Sequence, residues 1–226
     1  MPWQWTLPPS ASTFAGDIDW LYYLILAITG IAFVIVEVGL IWFVVQYRGR
    51  PGRKAYYTHG NTTAEVIWTT VTAVTVVVLG ILSGRVWEHV RGRDSVPAGA
   101  LEYGVAGKQF EWNVTHAGPD GALSTPDDLT VRNQLHMPVG RPVVVNLTAE
   151  DVIHSFFVPA FRVKQDAVPG MHIRVWFEAT TPGVYDLACA ELCGLGHYRM
   201  GAKVTVHTQD DYERWLAAQA ATVAAR

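Results

Sequence analysis

The sequence predicts a membrane-anchored all-β protein. A hairpin of two transmembrane helices is followed by a β-sandwich or Greek-key barrel and a C-terminal helix. Two long apolar segments in the first ninety residues predict the hairpin. About seven short β-like runs separated by turn sequences predict the β domain. The predicted boundary divides the 226 residues into 1–93, the tail with the hairpin, and 94–226, the outer domain with its helix.

Both apolar segments are long enough to cross a bilayer. Trp20–Tyr47 contains a single charged residue, Glu37, and Val66–Gly84 contains none. At a helical rise of about 1.5 Å per residue, spans over about 20–47 and 65–90 would cross a hydrocarbon layer of about 30 Å. The alternative, a pair of helices buried in a soluble core, would require unusually long apolar core helices.

Basic residues predict the orientation of the hairpin. The loop between the spans carries Arg48, Arg50, Arg53 and Lys54, whereas the tail before the first span has no Lys or Arg. The positive-inside rule therefore puts this loop in the cytoplasm. We expect a two-helix protein of the cell membrane, with the N-terminus and the outer domain on the periplasmic side.

Two carboxylates lie in or near the spans. Glu37 would be costly inside a bilayer unless it is paired, protonated or facing protein, so a proton route and an interhelical hydrogen bond are both open. Glu65 follows the potential caps Asn61, Thr62 and Thr63, and its position alone favours a first-turn acid stabilised by the helix dipole.

The outer domain begins after a polar Gly/Pro linker at residues 91–100. Predicted breaks between strands include Met137–Gly140. Residues 210–226 predict a helix, because three acids precede a run of alanines. The candidate strands are Leu101–Val105, Gln109–Val114, Leu129–Asn133, Pro142–Thr148, Ile173–Ala179, Val184–Ala188 and Ala202–His207.

Charge is distributed unevenly between the two predicted domains. Residues 94–226 hold 15 Asp and Glu against 10 Lys and Arg, a net charge of −5 (10 − 15), whereas the whole chain has a net charge of −3. An acidic outer domain favours a basic protein partner through long-range steering, which salt weakens. No nucleic-acid partner is expected.

One short stretch concentrates the reactive side chains. It holds the only two cysteines of the chain, followed by a histidine and a methionine: Cys189, Cys193, His197 and Met200. Such a set of sulfur and nitrogen ligands suits copper better than magnesium, calcium or manganese. His154, about 35 residues upstream, is the best candidate for a further ligand.

The ligand set leaves three interpretations open. Two thiolates could bridge two coppers, with one imidazole capping each metal and Met200 as a weak ligand. The same cysteines with His154 and His197 could bind structural zinc. A tight disulfide between Cys189 and Cys193 is the third possibility.

The pattern His154 … Cys189-x-Glu191-x-Cys193-Gly-x-x-His197-x-x-Met200 resembles the binuclear CuA motif of cytochrome c oxidase subunit II. The resemblance covers nearly the whole chain. Its further motifs are Asp151-Val-x-His154-Ser155, Lys164-Gln-Asp166-Ala-Val-Pro169-Gly170 and Glu65-x-x-Trp68-Thr69.

The resemblance implies a cupredoxin-like barrel that docks on subunit I and other integral subunits of the oxidase. It also implies a metal-ligand role for each of His154, Cys189, Glu191, Cys193, His197 and Met200. Glu191 would give its backbone carbonyl to copper and its carboxylate to a magnesium shared with subunit I, which alone holds the haems. Glu65 would lie near the start of a proton channel, reversing the interpretation from its position alone.

The implied function is to accept single electrons from cytochrome c or a similar periplasmic carrier and to deliver them to subunit I, where oxygen reduction is coupled to proton pumping. Two alternatives are the CuA subunit of a nitric oxide reductase and, against the ligand set, a copper-free quinol oxidase subunit. This chain departs from the family at two positions. Phe110 stands where the family has the tryptophan at which electrons enter, so Phe110 and Trp112 form a possible electron path. Thr72 stands where the family has a proline in the second span.

Overall fold

A computed structural model describes residues 6–92, 94–118 and 120–224. Outside the described residues lie 1–5 and 93 of the first predicted domain, and 119, 225 and 226 of the second. The chain forms two compact units. One comprises residues up to Gly16 together with those from Val90 onward, and the other is Asp17–His89.

The second unit is built from two long apolar helices, α1 (Ala15–Tyr47) and α2 (Thr62–Arg91). Their most apolar stretches have a mean hydropathy of 2.7 and 2.2, and none of the residues in these stretches is buried within the chain. Asn61 caps α2 by accepting a hydrogen bond from the Ala64 N–H through its side-chain oxygen, at 3.0 Å. Both helices extend beyond the predicted spans, and α2 continues without interruption through Thr72.

Ten strands form two five-stranded sheets. The first sheet has the order β3-β2-β1-β5-β8, in which β1 and β5 are parallel and all other pairs antiparallel. The second has the order β4-β10-β9-β6-β7, in which only β10 and β4 are parallel. The strands are β1 Leu101–Lys108, β2 Glu111–His116, β3 Leu129–Arg132, β4 Gln134–Pro138, β5 Pro142–Ala149, β6 His154–Val158, β7 Val163–Ala167, β8 Ile173–Glu178, β9 Gly183–Cys189 and β10 Gly201–His207.

Side chains from both sheets share one core. Phe156 of the second sheet lies between Trp112 and Phe177 of the first, with ring centroids 5.9 Å and 6.3 Å away. All three rings are fully buried, and burial of such rings supplies much of the stabilisation of a sandwich. The predicted fold class, two helices followed by a cupredoxin-like β domain and a C-terminal helix, is confirmed.

The sequence did not predict three of the strands, and one predicted break, Met137–Gly140, starts two residues later than expected, with the turn at Val139 and Gly140. The break predicted at Met137–Gly140 begins inside β4, because Pro138 is the last residue of the strand, where its missing N–H interrupts little of the ladder. β6 is buried at four of its five residues, so it lacks the alternation by which half-buried strands are recognised. β7 is short and polar on one face.

The segment before α1 packs on the β domain. Ser12 forms an isolated bridge with Ala179, and its hydroxyl donates to the Phe161 carbonyl at 2.9 Å. Phe14 is fully buried and meets Trp176 edge to face, with 5.4 Å between ring centroids. These contacts tie the start of the chain to the unit that carries the β domain.

The C-terminal helix α3 (Gln209–Ala224) is held by a cluster of aromatic rings. The Trp215 indole stacks on the His136 imidazole at 4.1 Å and 8°. One His136 ring nitrogen, Nδ1, lies 2.8 Å from His207 Nε2, and the His136 backbone N–H donates to the ring of the buried His116. The cluster joins both sheets to α3. Among the described contacts of His116 and His136 there is no carboxylate that could neutralise a protonated imidazole.

Burial and the neighbouring imidazole lower the pKa of His116 to about 3. Burial and the neighbouring His207 lower the pKa of His136 to about 4. Both histidines are therefore neutral in the folded protein and gain protons on unfolding below pH 6.5, so stability falls as the pH drops from 6.5 towards 4. Each buried imidazole contributes a loss of roughly 1 kcal/mol per pH unit in this window.

We expect this loss of stability to appear as faster hydrogen exchange of the β4 and α3 backbone amides at pH 5 than at pH 7.5, after correction for intrinsic exchange rates. In the variant His116→Gln the difference between the two pH values should be smaller. An unchanged pH dependence in this variant would contradict the assignment to the histidine cluster.

Candidate metal centre

The stretch with both cysteines is the loop that joins β9 to β10. The Cys189 N–H donates to the Met200 carbonyl at 3.1 Å, which closes the loop at its base. Within it, residues 197–199 form one 3-10 turn, and Gly194 has a φ of +127°, which favours glycine. The backbone thus folds the loop so that residues eleven positions apart (200 − 189) become neighbours.

The loop brings three sulfur atoms together. Cys189 Sγ lies 4.0 Å from Cys193 Sγ, and Cys193 Sγ lies 3.7 Å from Met200 Sδ. The three side chains are buried. A disulfide requires sulfur atoms about 2.05 Å apart, so both cysteines are free thiols and the disulfide interpretation does not apply to this structure.

Two imidazoles flank the sulfur atoms. His197 Nδ1 lies 3.7 Å from Cys193 Sγ, and His154 Nδ1 lies 3.9 Å from Cys189 Sγ. His154 is the first residue of β6, which pairs with β9 through Phe156 and Cys189. His154, Cys189 and Cys193 are all buried and present ligand atoms within 4.8 Å of one another. These separations fit atoms that share metal ions at bond lengths of about 2.0–2.3 Å.

The backbone of Glu191 adds a further donor, because its carbonyl oxygen lies 3.2 Å from Cys189 Sγ. Its side chain is exposed, so the carboxylate is accessible to a partner. All six sequence-predicted ligand positions therefore meet at one place. Two thiols and two imidazoles alone would also suit zinc. The thioether makes the set softer, which favours copper, and the carbonyl adds one weak donor.

The Cys193 thiol is held in its protonated form. Burial and the nearby Cys189 raise the pKa of Cys193 to about 11. Metal binding requires the thiolate and an unprotonated imidazole nitrogen. Binding of a metal ion at Cys193 would therefore displace the proton of its thiol.

Asp151 has an orienting role that sequence reasoning missed. The His154 Nε2 lies 2.8 Å from Asp151 Oδ1. A carboxylate only accepts hydrogen bonds, so Nε2 carries the proton and Nδ1 presents its lone pair towards Cys189. Burial opposes ionisation, but hydrogen bonds from the Gln109 backbone N–H and from His154 outweigh it and lower the pKa of Asp151. The spacing of an acid three residues before a ligand was the available signal.

Gly107 makes room for the His154 ring. A Cβ atom at this position would lie 2.9 Å from His154 Cδ2 and 3.1 Å from Trp112 Cζ3. The Trp112 indole meets the imidazole edge to face, with 5.9 Å between ring centroids. Trp112 is thus fully buried behind a ligand, whereas Phe110 is half-buried against the cysteine loop. Glu65 belongs to the other compact unit, where it lies in the first turn of α2.

Two family models match the chain. The model for "Cytochrome C oxidase subunit II, periplasmic domain" matches residues 115–207, and the model for its transmembrane domain matches residues 1–86. The "Alternative cytochrome c oxidase subunit 2" of Bradyrhizobium diazoefficiens is 35% identical over 240 residues, with 96% of this chain and 84% of the relative covered.

This chain belongs to the cytochrome c oxidase subunit II family. The cytochrome c oxidase subunit 2 of Thermostichus vulcanus is 33% identical and covers 92% of this chain and 77% of its own. The solved periplasmic domain of subunit II from Bradyrhizobium japonicum is 29% identical over 55% of this chain and 96% of its own, with a TM-score of 0.49.

Family membership makes the chain a membrane component of a haem–copper oxidase, which is an oxidoreductase complex of the respiratory chain. Its partners are other subunits of that oxidase. The family also implies copper, and the donor set described above fits that metal.

Replacing Asp151 with alanine should weaken metal retention, because the hydrogen bond that fixes the His154 tautomer is lost. We expect about 10- to 100-fold weaker copper binding, measured by chelator competition on the full-length chain in detergent. Glu150→Ala is the matched control, since the Glu150 carboxylate is exposed and, among the contacts described, pairs only with Lys108, at 3.5 Å. Equal effects of the two variants would contradict the orienting role.

Proposed function

We propose that the chain is the electron-accepting subunit of a cytochrome c oxidase, with a binuclear CuA centre held by His154, Cys189, Glu191, Cys193, His197 and Met200. The observation that carries the proposal is the convergence of all six positions on one buried pair of thiols. A copper pair bound there would supply a one-electron redox centre. The chain would receive electrons from a periplasmic carrier and deliver them to haem in subunit I, where oxygen is reduced to water and protons are pumped.

The arrangement of donors favours two metal ions over one. Cys189 and Cys193 lie between the two imidazoles, so each sulfur atom has a histidine nitrogen within 3.9 Å on its own side. Met200 lies beside Cys193, and the Glu191 carbonyl lies beside Cys189. Each half of the site therefore has one imidazole and one weak donor, with the two thiolates shared.

Glu191 would link this centre to subunit I. Its carbonyl oxygen faces Cys189, whereas its side chain is exposed. A carboxylate in that setting can bind a magnesium ion whose other ligands belong to another subunit, since magnesium prefers oxygen ligands. The haems would all lie in subunit I.

The orientation of the hairpin follows from charge and from packing. The four cations between α1 and α2 favour a cytoplasmic loop. The segment around Ser12 packs on the β domain through the Phe161 carbonyl, which requires both to lie on one side of the membrane. A chain that crosses the membrane twice returns to the side on which it began, so the two spans are consistent with this packing. We infer that this side is the periplasm. Glu65, in the first turn of α2 behind the basic loop, would then lie near the cytoplasmic start of a proton path.

The electron donor would be cytochrome c or a similar small carrier. The net charge of −5 on residues 94–226 favours a basic donor. Phe110 stands where the family has tryptophan and, with Trp112 behind it against His154, offers aromatic rings between the surface and the ligands. The relatives compared are cytochrome c oxidase subunits, so a nitric oxide reductase or quinol oxidase gains no support from them.

The ligand assignment is tested by Cys193→Ser in the assembled oxidase. We expect loss of the electron paramagnetic resonance signal of one electron shared by two coppers, and at least 100-fold slower oxidation of reduced cytochrome c. Leu192→Ser is the control, because Leu192 is an exposed neighbour in the same loop. A variant with unchanged signal and rate would refute the role of Cys193, and zinc in the unmodified site would refute the relay.

Steering by the acidic outer domain predicts a salt effect. Raising ionic strength from about 0.01 to 0.15 M shortens the Debye length from about 30 to 8 Å. The association rate with a basic cytochrome c should then fall about tenfold or more. Stopped-flow measurement under second-order conditions gives this rate directly, and a salt-independent rate would indicate apolar docking.

A further inference from the structure

The turn between β1 and β2 lies against the cysteine loop, and one contact between them is unusually close. Gly196 immediately precedes the ligand His197. A Cβ atom built on Gly196 would lie 2.5 Å from both Cγ and Cδ2 of Phe110 and 2.8 Å from its Cε2. Distances below 3.0 Å are essentially never seen for a real Cβ atom, so an alanine at this position has no space while the ring stays in place.

The backbone does not account for glycine at this position. Gly196 has φ −92° and ψ 6°, a conformation accessible to other residues. Gly194 differs, because its φ of +127° by itself favours glycine. The requirement for glycine at 196 therefore comes from the Phe110 ring.

The same turn holds the loop and the imidazole on the opposite side of the site. The Gln109 side-chain amide donates to the Cys193 carbonyl. The Gln109 backbone N–H donates to Asp151 Oδ2 at 2.8 Å, and the other oxygen of Asp151 receives the His154 Nε2–H. Residues 109 and 110 thus touch the supports of both halves of the ligand set.

We propose that Phe110 is a positioning residue of the metal centre, matched in size to Gly196, and that the two set the place of His197 from outside the loop. The proposal rests on the proposed function for the identity of the metal. The link to His197 is short. Gly196 begins the 3-10 turn that carries it, since the Arg199 N–H donates to the Gly196 carbonyl at 3.1 Å. Displacing Gly196 therefore displaces the imidazole.

The phenyl ring can act here only through its shape. It has no hydrogen-bonding group, and the atoms it presents to Gly196 are ring carbons. Its contact with the loop is therefore steric, and removal of either partner should have a different effect from removal of both. A double-mutant cycle measures such a coupling directly.

The cycle uses Phe110→Ala, Gly196→Ala and the double variant, made in the full-length chain in detergent and loaded with copper. Gly196→Ala should release copper to a chelator about tenfold faster or more, because the new methyl group clashes with the ring. In the double variant the methyl group has space, so its release rate should return to within about threefold of Phe110→Ala alone. Leu195→Ala is the matched control, since Leu195 lies between the two glycines and is 97% exposed.

Spectroscopy separates positioning from general destabilisation. The copper hyperfine pattern should change in Gly196→Ala and recover towards the Phe110→Ala pattern in the double variant. Independent effects of the two substitutions, or equal effects of Gly196→Ala and Leu195→Ala, would overturn the proposal. If Gly196→Ala does not fold, Phe110→Leu takes its place: a smaller side chain over the loop should shift the hyperfine pattern, and an unchanged pattern counts against the proposal.

A metal-free measurement keeps this proposal distinct from the proposed function. Without metal, Phe110→Ala should make Cys193 react faster with a maleimide than it does in the unmodified chain, because the loop loses its outer support. Leu195→Ala should leave the rate unchanged. If the unmodified chain bound no copper, the proposed function would fail, while an accelerated reaction would still support the contact between Phe110 and the loop. An unchanged rate in Phe110→Ala would refute that contact.

Discussion

Two buried thiols 4.0 Å apart impose the constraint to which the β domain is adapted. Removing a proton from one raises the cost of removing the second, because like charges in a poorly hydrated site repel and solvent does not compensate. The raised pKa of Cys193 expresses that cost. Only bound cations make both thiolates stable together. The surrounding chain therefore has to deliver neutral imidazoles and weak donors to the same place, with no competing cation of its own.

The fold meets this constraint by drawing ligands from two separate sources. The β9–β10 loop supplies the thiols, one imidazole and the thioether, and its ends are fixed by the hydrogen bond from Cys189 to Met200. The second imidazole comes from β6, which pairs with β9 beside Cys189. The Ala190 N–H also donates to the Ser155 carbonyl, at 3.0 Å, so the two sources are bonded to each other next to the ligands. Strand pairing therefore fixes the distance between His154 and the thiols.

The sequence was sufficient to single out the cysteine loop as a candidate metal site and to predict most of the architecture, because both depend on local patterns. Cysteine, histidine and methionine spacing indicated the loop, and apolar length indicated both helices. What it could not supply were contacts between residues distant in the chain. The hydrogen bond from Gln109 to Asp151 joins residues 42 apart, and no periodicity encodes it. Periodicity also failed to predict β6, because a strand that is buried on both faces shows no alternation of polar and apolar residues.

Metal loading of such a site should be a local event. The core of the sandwich has Phe156 between rings of both sheets, and the proposed ligand His154 packs on it through Trp112. The cysteine loop is less buried than the core, since Leu195 and Tyr198 are almost fully exposed. Its support comes from its own short 3-10 turn and from contacts with residues 109 and 110. Its local stability is therefore expected to lie below that of the sheets. A stable sandwich with a less stable loop would let copper ions reach the two buried thiols without unfolding the domain, and bound metal would then replace the thiol protons.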